Sequence, residues 1–436
     1  MKVWVNQNAA GTTSDSQVPA TWEVYANTKE VSFSTQGTNY VHALFMDEVG
    51  NVSAVVDSTA TIYDSVAPVI SAVSIDGGAD YTNDEDGSVV VRVTVADVTS
   101  AVDYVTLSGD IQETGSEAVF TFDSTDLTNG YKDCNVTLTT GDGVKTIAAT
   151  ATDLAGNTSV SSSDSITYDT TAQAVLVLRT ADDTANLGNV INTAEFAAAI
   201  TASDSDIVAY KIYGDIVGAT TEPADFTAAT FVDDRFLIDN LEFTSTEGTK
   251  TVYVKAQDAA GNIITLTQTA IMDTTAPTVG LTADVTTISA QTGYNTVTFT
   301  YTASDTNGLA NYTLKLGEIT LAQGAFTNNM TEAITASDLL SASAGEGTKD
   351  VTLYVTDVAG NEGYSSDVTI TVDLTAPTGS VSASSYYNTT SIELTVAATD
   401  TGGAALSYMK VWLTEEPSEW SAYAAGTQTF VSVVEG

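Results

Sequence analysis

The sequence predicts an all-β protein made of tandem, two-layer antiparallel β-sandwich domains of the immunoglobulin-like type, arranged as a linear rod. Two short motifs recur about once per 100 residues, which is the length of one domain. Between them lie short runs rich in Val, Thr and Ile, such as Val89 to Val95 and Val297 to Thr302. About seven short strands in about 100 residues is the immunoglobulin-like pattern.

The first motif is an Asp that opens a short turn ending in Gly-Asn. Before Asp258 the residues alternate, with Val252 and Val254 on one face and Tyr253 and Lys255 on the other. This alternation predicts a half-buried strand that enters the turn, and the β-rich run after the turn completes a hairpin. Gly and Asn are expected to supply positive φ. The copies are Asp47 to Asn51, Asp153 to Asn157, Asp258 to Asn262 and Asp357 to Asn361.

The second motif, Asp-x-x-Ala-Pro, marks the domain boundaries, because Pro cannot donate to a strand ladder and favours an extended residue before it. Its copies are Asp64 to Pro68, Asp169 to Gln173, Asp273 to Pro277 and Asp373 to Pro377. They predict complete domains at 68–172, 173–277 and 278–377, a partial domain at 1–67 that lacks opening strands, and a partial domain at 378–436 that lacks closing strands. We expect a segment of a longer polypeptide.

The acidic stretch from Asp225 to Glu242 is extra length within its domain. The sequence predicts a surface loop or an added edge strand there.

The composition is strongly acidic. Asp and Glu number 56 against 13 Lys and Arg, giving a formal net charge of −43. This charge disfavours nucleic acid and anionic membrane as partners, and its self-repulsion predicts bound cations. Cys134 is the single cysteine, so no intrachain disulfide can form, and metal ions are the natural substitute in an extracellular chain. The sequence starting at Met1 shows no basic and apolar leader.

A third Asp recurs early in each domain, after a strand. In an immunoglobulin-like topology, the loop after the second strand, the loop between the last two strands and the linker that enters the first strand lie at one pole. We therefore expect an aspartate triad at the entry pole of each complete domain. The expected sets are Asp64 with Asp97 and Asp153, Asp169 with Asp204 and Asp258, Asp273 with Asp305 and Asp357, and the corresponding pair Asp373 and Asp400.

Three carboxylates without a neighbouring Lys or Arg are costly unless a hard cation lies among them, and ligands that are all oxygen select calcium. The alternative is that each Asp only caps its own turn. Calcium is favoured because the linker Asp is expected to have no turn to cap.

Enzymatic activity is not predicted. His42, the single histidine, aligns with Tyr253 and is expected on the outward, solvated face of its strand. The carboxylates recur with the structural period, whereas a catalytic pair should occur once. The tryptophans are expected to pack in the core or on a sheet face rather than to form a sugar-binding platform; they are Trp4, Trp22, Trp412 and Trp420.

The Asp-x-Ala-Gly-Asn and Asp-x-Thr-Ala-Pro motifs resemble those of the bacterial immunoglobulin-like domains that tile large surface adhesins of the RTX type, and related repeats occur in phage virion proteins. The resemblance covers essentially the whole chain. It departs at Gln173, where Pro is usual, and at Glu48 and Val49, where small residues are usual.

This resemblance implies an extracellular, calcium-stiffened stalk whose binding tip lies elsewhere and whose partners are neighbouring repeats of the same longer chain. Two alternatives stay open. One is a virion appendage or surface-layer protein that associates with itself into a fibre or array. The other is a carbohydrate-binding accessory module, which the Trp pairs suggest.

Overall fold

A computed structural model describes residues 1–112, 117–202, 207–232, 235–385, 391–412, 416–423 and 426–431. Strands hold about 53% of the described residues and helices about 3%. The all-β prediction is confirmed, and the sheets are those of immunoglobulin-like sandwiches.

The N-terminal unit, residues 1–67, has one small sheet. Its strands are β1 (Lys2–Asn6), β2 (Gly37–Leu44), β3 (Val56–Asp57) and β4 (Thr61–Tyr63). β2 is central and pairs with β1, β3 and β4.

The first sandwich, residues 69–168, packs a three-stranded sheet on a five-stranded one. Its elements are β5 (Val69–Ile75), β6 (Tyr81–Thr82), β7 (Ser88–Ala96), β8 (Val102–Gly109), β9 (Glu117–Thr121), α1 (Ser124–Asn129), β10 (Tyr131–Thr137), β11 (Gly143–Asp153) and β12 (Ser162–Tyr168). The strand orders are β10-β7-β5 and β6-β12-β11-β8-β9.

The second sandwich, residues 174–272, repeats this plan, and its described residues include no helix. Its strands are β13 (Ala174–Thr180), β14 (Val190–Ile191), β15 (Glu195–Ala202), β16 (Ile207–Gly214), β17 (Thr227–Ala228), β18 (Arg235–Glu242), β19 (Gly248–Asp258) and β20 (Ile263–Met272). The strand orders are β13-β15-β18 and β14-β20-β19-β16-β17.

The third sandwich, residues 278–372, has the same two layers, ordered β21-β23-β26 and β22-β29-β27-β24-β25, with β28 beside β27. Its elements are β21 (Thr278–Ala283), β22 (Thr287–Ile288), β23 (Thr296–Ser304), β24 (Leu309–Leu316), β25 (Ile319–Ala325), β26 (Thr331–Thr335), α2 (Ala336–Ala342), β27 (Gly347–Asp357), β28 (Glu362–Tyr364) and β29 (Val368–Val372). The C-terminal unit has β30 (Thr378–Ala383), β31 (Ser391–Thr399), β32 (Tyr408–Met409), β33 (Ser421–Ala422) and β34 (Gly426–Val431).

Every strand of a sandwich falls within one of the ranges 68–172, 173–277 and 278–377. We propose these ranges as the domain boundaries.

One eleven-residue strand crosses each sandwich from pole to pole; these long strands are β11, β19 and β27. In β19 the buried side chains are Lys250, Val252, Val254, Ala256 and Asp258, which occupy every second position. β11 and β27 bury their alternate positions in the same way, from a Lys to an Asp. The period-2 pattern that fills the core therefore also delivers a buried carboxylate to one pole.

The sequence predicts antiparallel sandwiches, but each sandwich also contains one short parallel pair. β6, β14 and β22 each pair in parallel with the last strand of their own sandwich. After its first strand the chain passes from the three-stranded sheet to the edge of the other sheet, where it runs in the same direction as that last strand.

The prediction for the stretch from Asp225 to Glu242 is wrong in its second half. β17 is a short edge strand, as expected. β18 also lies at a sheet edge, but it is not an addition, because it pairs with β15 in the position that β10 and β26 hold in the other sandwiches. Ile238 of β18 is part of the hydrophobic core. The sandwich needs this strand to cover its core, and that requirement outweighs the acidic composition.

The prediction that His42 is solvated is also wrong. His42 is fully buried, with Nδ1 2.7 Å from Asp57 Oδ1 and Nε2 2.9 Å from Asn6 Oδ1. Its ring lies against Trp4, and Gly11 comes so close that a Cβ there would lie 2.5 Å from Nδ1. The hydrogen bond from His42 holds the pKa of Asp57 below its usual range. Long-range loop packing, which strand periodicity does not encode, buries this face.

Tyr301 provides a test of core packing in the third sandwich. It is fully buried, burial raises its pKa, and its hydroxyl has no hydrogen-bond partner among the described residues. We expect Tyr301→Phe to leave stability unchanged or to raise it by about 1 kcal/mol, because a desolvated hydroxyl is removed. The hydroxyl of Tyr312 donates to Glu332 at 3.3 Å, so Tyr312→Phe is the control and should not stabilise. Calorimetry that shows a loss of stability in Tyr301→Phe would contradict this account.

Cys134 provides a second test, in the first sandwich. Its side chain is fully buried in the hydrophobic core, and burial raises the pKa of the thiol to about 12. The thiolate is the reactive form, so a thiol reagent at neutral pH should modify Cys134 only after unfolding. Rapid modification of the native protein, followed by mass spectrometry, would show that this core opens.

Candidate metal centres

Two aspartate triads lie at the entry poles of the first and third sandwiches. The first comprises Asp64 from the linker, Asp97 after β7 and Asp153 at the end of β11; each residue offers one carboxylate oxygen, and these oxygens lie within 4.8 Å of one another. The second has the same geometry and comprises Asp273, Asp305 and Asp357. In each triad the linker Asp and the long-strand Asp are buried, while the middle Asp is half-buried.

Each triad contains one buried carboxylate oxygen without a hydrogen-bond partner among the described residues. These atoms are Asp97 Oδ2 and Asp273 Oδ2. Burying an ionised oxygen without compensation is unfavourable. In the part of the chain that the structure describes, the ion pairs with Lys, Arg and His involve other acids. A cation bound by the carboxylate oxygens of each triad would compensate the oxygen that lacks a partner there, and such a ligand set fits calcium.

The expectation that the linker Asp has no turn to cap is wrong. Asp64 Oδ1 accepts from the Val66 N–H at 2.9 Å, and Asp273 Oδ1 accepts from the Thr275 N–H at 3.1 Å. The backbone N–H of the second residue after the Asp is close enough for the Asp side chain to accept from it.

The other aspartates of the triads also order their own turns. Asp97 Oδ1 accepts from the N–H groups of Thr99 and Ser100, and Asp305 Oδ1 accepts from the Asn307 N–H at 2.7 Å. In these two residues and the linker aspartates, Oδ1 serves the turn while Oδ2 remains for other partners. Turn capping and cation binding are therefore compatible in one residue.

The two triads differ at one neighbouring residue. Ser100 donates its N–H and its hydroxyl to Asp64 Oδ2, at 3.0 and 2.7 Å. Burial raises the pKa of Asp64, but the hydrogen bonds from Val66 and Ser100 outweigh burial and hold that pKa below its usual range. Gly308 stands where the first triad has Ser100, and Asp273 Oδ2 is left without a partner.

The remaining predicted residues form less complete sets. Asp204 lies outside the described residues, so the structure does not test its approach to Asp169 and Asp258. Asp258 is buried and Asp169 is half-buried. Asp373 is buried and accepts from the Ala404 N–H at 2.8 Å. Asp400 is half-buried and lines the same cleft as Asp373.

The Asn that ends the first motif has a role that the sequence analysis missed. Asn361 Nδ2 donates to Asp357 Oδ2 at 2.9 Å and to the backbone carbonyl of Asp273 at 2.8 Å. Its backbone φ is not positive, unlike that of Gly360, so the Asn serves through its amide rather than through its conformation. The same pair of contacts recurs at Asn157, with Asp153 and Asp64, and at Asn262, with Asp258 and Asp169. The recurrence of this Asn in all four copies of the motif is the feature of the sequence that could have indicated its role.

No protein-family model matches this chain, and no curated protein matches it. A solved structure related to host cell surface retention of a 1.5-MDa bacterial ice-binding adhesin is 20% identical and covers 72% of this chain and 100% of its own, with a TM-score of 0.34. The tetra-tandem repeat in the extending region of a large adhesion protein is 17% identical, covers 83% and 90%, and has a TM-score of 0.27. Fibronectin(III)-like modules of Clostridium thermocellum CbhA are 15% identical, cover 46% and 94%, and have a TM-score of 0.29.

These TM-scores are too low for the similarities to carry an argument about function. Among the described residues, no helix has the length and apolar character needed to cross a membrane.

The Asn contact can be tested at the junction before the third sandwich. We expect Asn361→Ala to lower stability by about 1 to 2 kcal/mol, since two hydrogen bonds are lost, and to speed amide exchange at residues 274–276. Asn311→Ala, on the exposed face of β24, is the control. Hydrogen exchange that is equally slow in both variants would show that Asn361 does not hold the linker.

Proposed function

We propose that this chain is a non-enzymatic stalk or fibre segment of a larger extracellular adhesin or surface protein, in which calcium bound at the aspartate triads stiffens the junctions between immunoglobulin-like domains. One observation carries the proposal: a buried triad, with an oxygen that lacks a partner in the described part of the chain, recurs at the pole where the linker enters a sandwich. The partners are neighbouring repeats of the same chain.

The linker Asp connects two domains. Asp273 directly follows Met272, the last residue of β20 in the second sandwich, while its carboxylate lies with those of Asp305 and Asp357 of the third sandwich. Only residues 273–277 separate β20 from β21. A cation at this triad therefore binds the exit of one domain to the loops of the next and removes freedom from a short connection.

Electrostatics favours the same role. A formal net charge of −43 destabilises a compact rod through self-repulsion, and a divalent cation at each junction reduces that repulsion where carboxylates are closest. Mass action adds about 2.7 kcal/mol per site when free calcium is 100-fold above its dissociation constant.

The carbohydrate-binding alternative keeps one supporting observation. Trp412 and Trp420 are 50% and 63% exposed, and Lys410 lies over the Trp420 ring at 4.9 Å. Trp4, the counterpart of Trp412, is buried against His42, as expected for packing rather than for sugar binding. Glycan-array binding that is lost in Trp420→Ala would favour this alternative over the stalk.

Calcium should raise the melting temperature of the parent protein and narrow the range of angles between adjacent domains. Asp305→Asn keeps an acceptor for the Asn307 N–H but removes one charge from the triad. We expect this variant to lose the calcium-dependent gain of the third sandwich and to melt no earlier than the parent in EDTA, because like-charge repulsion is reduced. Calorimetry and small-angle scattering at fixed ionic strength measure both effects.

Asp284→Asn is the matched control, because Asp284 accepts from the Thr298 N–H at 2.7 Å and lies outside the triads. It should respond to calcium as the parent does. Identical melting curves and scattering profiles of the parent in calcium and in EDTA would show that the aspartates only cap turns.

A further inference from the structure

A second acidic position recurs where the chain turns into each long strand. Asp142, Glu247 and Glu346 each precede the first Gly of β11, β19 and β27. We call these positions the pre-strand residues. They lie at the end of the long strand opposite the buried Asp, so they belong to the pole from which the chain leaves the domain.

Each pre-strand residue contacts the linker that leaves its own sandwich. Glu346 accepts from the Leu374 N–H at 3.0 Å and from the Thr375 hydroxyl at 2.8 Å. Glu247 Oε1 accepts from the Thr274 N–H at 3.0 Å and from its hydroxyl. Asp142 makes the equivalent contacts with Thr170 and Thr171. The linker threonines of the second motif are therefore hydrogen-bonding groups and not only strand-forming residues.

The N-terminal unit makes the same contact without a charge. Gln36 precedes Gly37 of β2; its Oε1 accepts from the Ser65 N–H at 3.2 Å, and its Nε2 donates to the Ser65 hydroxyl. The contact therefore recurs at every linker, and it needs hydrogen-bonding geometry rather than a negative charge.

A buried donor supports the turn before the long strand in the second and third sandwiches and the corresponding turn of the N-terminal unit. Lys250, three residues after Glu247, is buried and donates to the hydroxyls of Thr244 and Thr246 at 3.2 and 2.7 Å. Lys349 likewise donates to the Ser343 carbonyl at 2.6 Å, and Asn39 donates to the carbonyls of Thr35 and Gly37. Because hydrogen bonds from buried donors fix these turns, the pre-strand side chain starts from a fixed position.

The two sides of a junction contact adjacent residues of one linker. Glu247 of the second sandwich binds Thr274, while Asn361 of the third sandwich binds the carbonyl of Asp273. Neither contact includes a metal ligand oxygen.

We propose that the pre-strand residue is a positioning residue that holds the departing linker on its own domain without a metal and thereby sets the direction in which the next domain leaves. The triad then fixes the next domain to that linker. This inference concerns a contact that is separate from the calcium site and does not require calcium binding.

The test measures the angle between the second and third sandwiches in the full chain. Spin labels are attached to two introduced cysteines at exposed positions, Thr267→Cys on β20 and Thr320→Cys on β25. The parent without these two cysteines is treated with the same label to check that buried Cys134 does not react. Electron paramagnetic resonance then gives the distribution of label distances in Glu247→Ala, in Glu247→Gln and in the control Glu242→Ala, an exposed residue of β18. Each variant is measured in saturating calcium and in EDTA, and circular dichroism checks that it is folded.

We expect Glu247→Ala to broaden the distribution of label distances relative to the parent measured under the same condition, both in calcium and in EDTA. Glu247→Gln should keep the parent's distribution, because Gln36 makes this contact naturally, and Glu242→Ala should match the parent. A parent-like distribution in Glu247→Ala, or equal broadening in Glu247→Gln, would overturn the proposal. If calcium leaves the distance distribution of the parent unchanged while the distribution of Glu247→Ala is still broader than that of the parent, the calcium proposal fails and the positioning contact stands.

Discussion

The structure depends on the register of one strand in each sandwich. β11, β19 and β27 bury alternate side chains over the nine residues from a Lys to an Asp, so the same face that fills the core places the Lys at one pole and the Asp at the other; β11 buries Thr152 as well. A slip of one residue would expose the apolar set and remove both polar ends from their partners. Core packing, the triad and the support of the pre-strand turn therefore have one common cause.

The aspartates show how one residue type can serve two purposes. In Asp97 and Asp273, Oδ1 accepts backbone N–H groups of a local turn, while Oδ2 is buried without a partner among the described residues. The turn fixes the carboxylate in place, and the remaining oxygen is available to a cation. A rigid scaffold of this kind limits the entropy lost on binding, which favours a preformed site.

The junction before the third sandwich combines hydrogen bonds with a candidate metal site. Asn361 and Glu247 reach neighbouring linker residues from the two sides, and the triad of Asp273 lies at the same place. In the proposed stalk, the hydrogen bonds would keep a preferred direction between domains and the cation would add stiffness.

The sequence by itself determined the all-β class, the period of the repeats, the hairpin at each Gly-Asn turn and the convergence of two aspartate triads. These features follow from local periodicity, from turn chemistry and from one topological rule. Only the tertiary structure decided the burial of His42, the place of β18 in a core-covering sheet and the parallel pairing of β6, β14 and β22. It also decided that Asp64 Oδ2 has a partner in Ser100, whereas Asp273 Oδ2 has none among the described residues. Those outcomes depend on contacts between residues far apart in the chain, which strand period and turn composition do not encode.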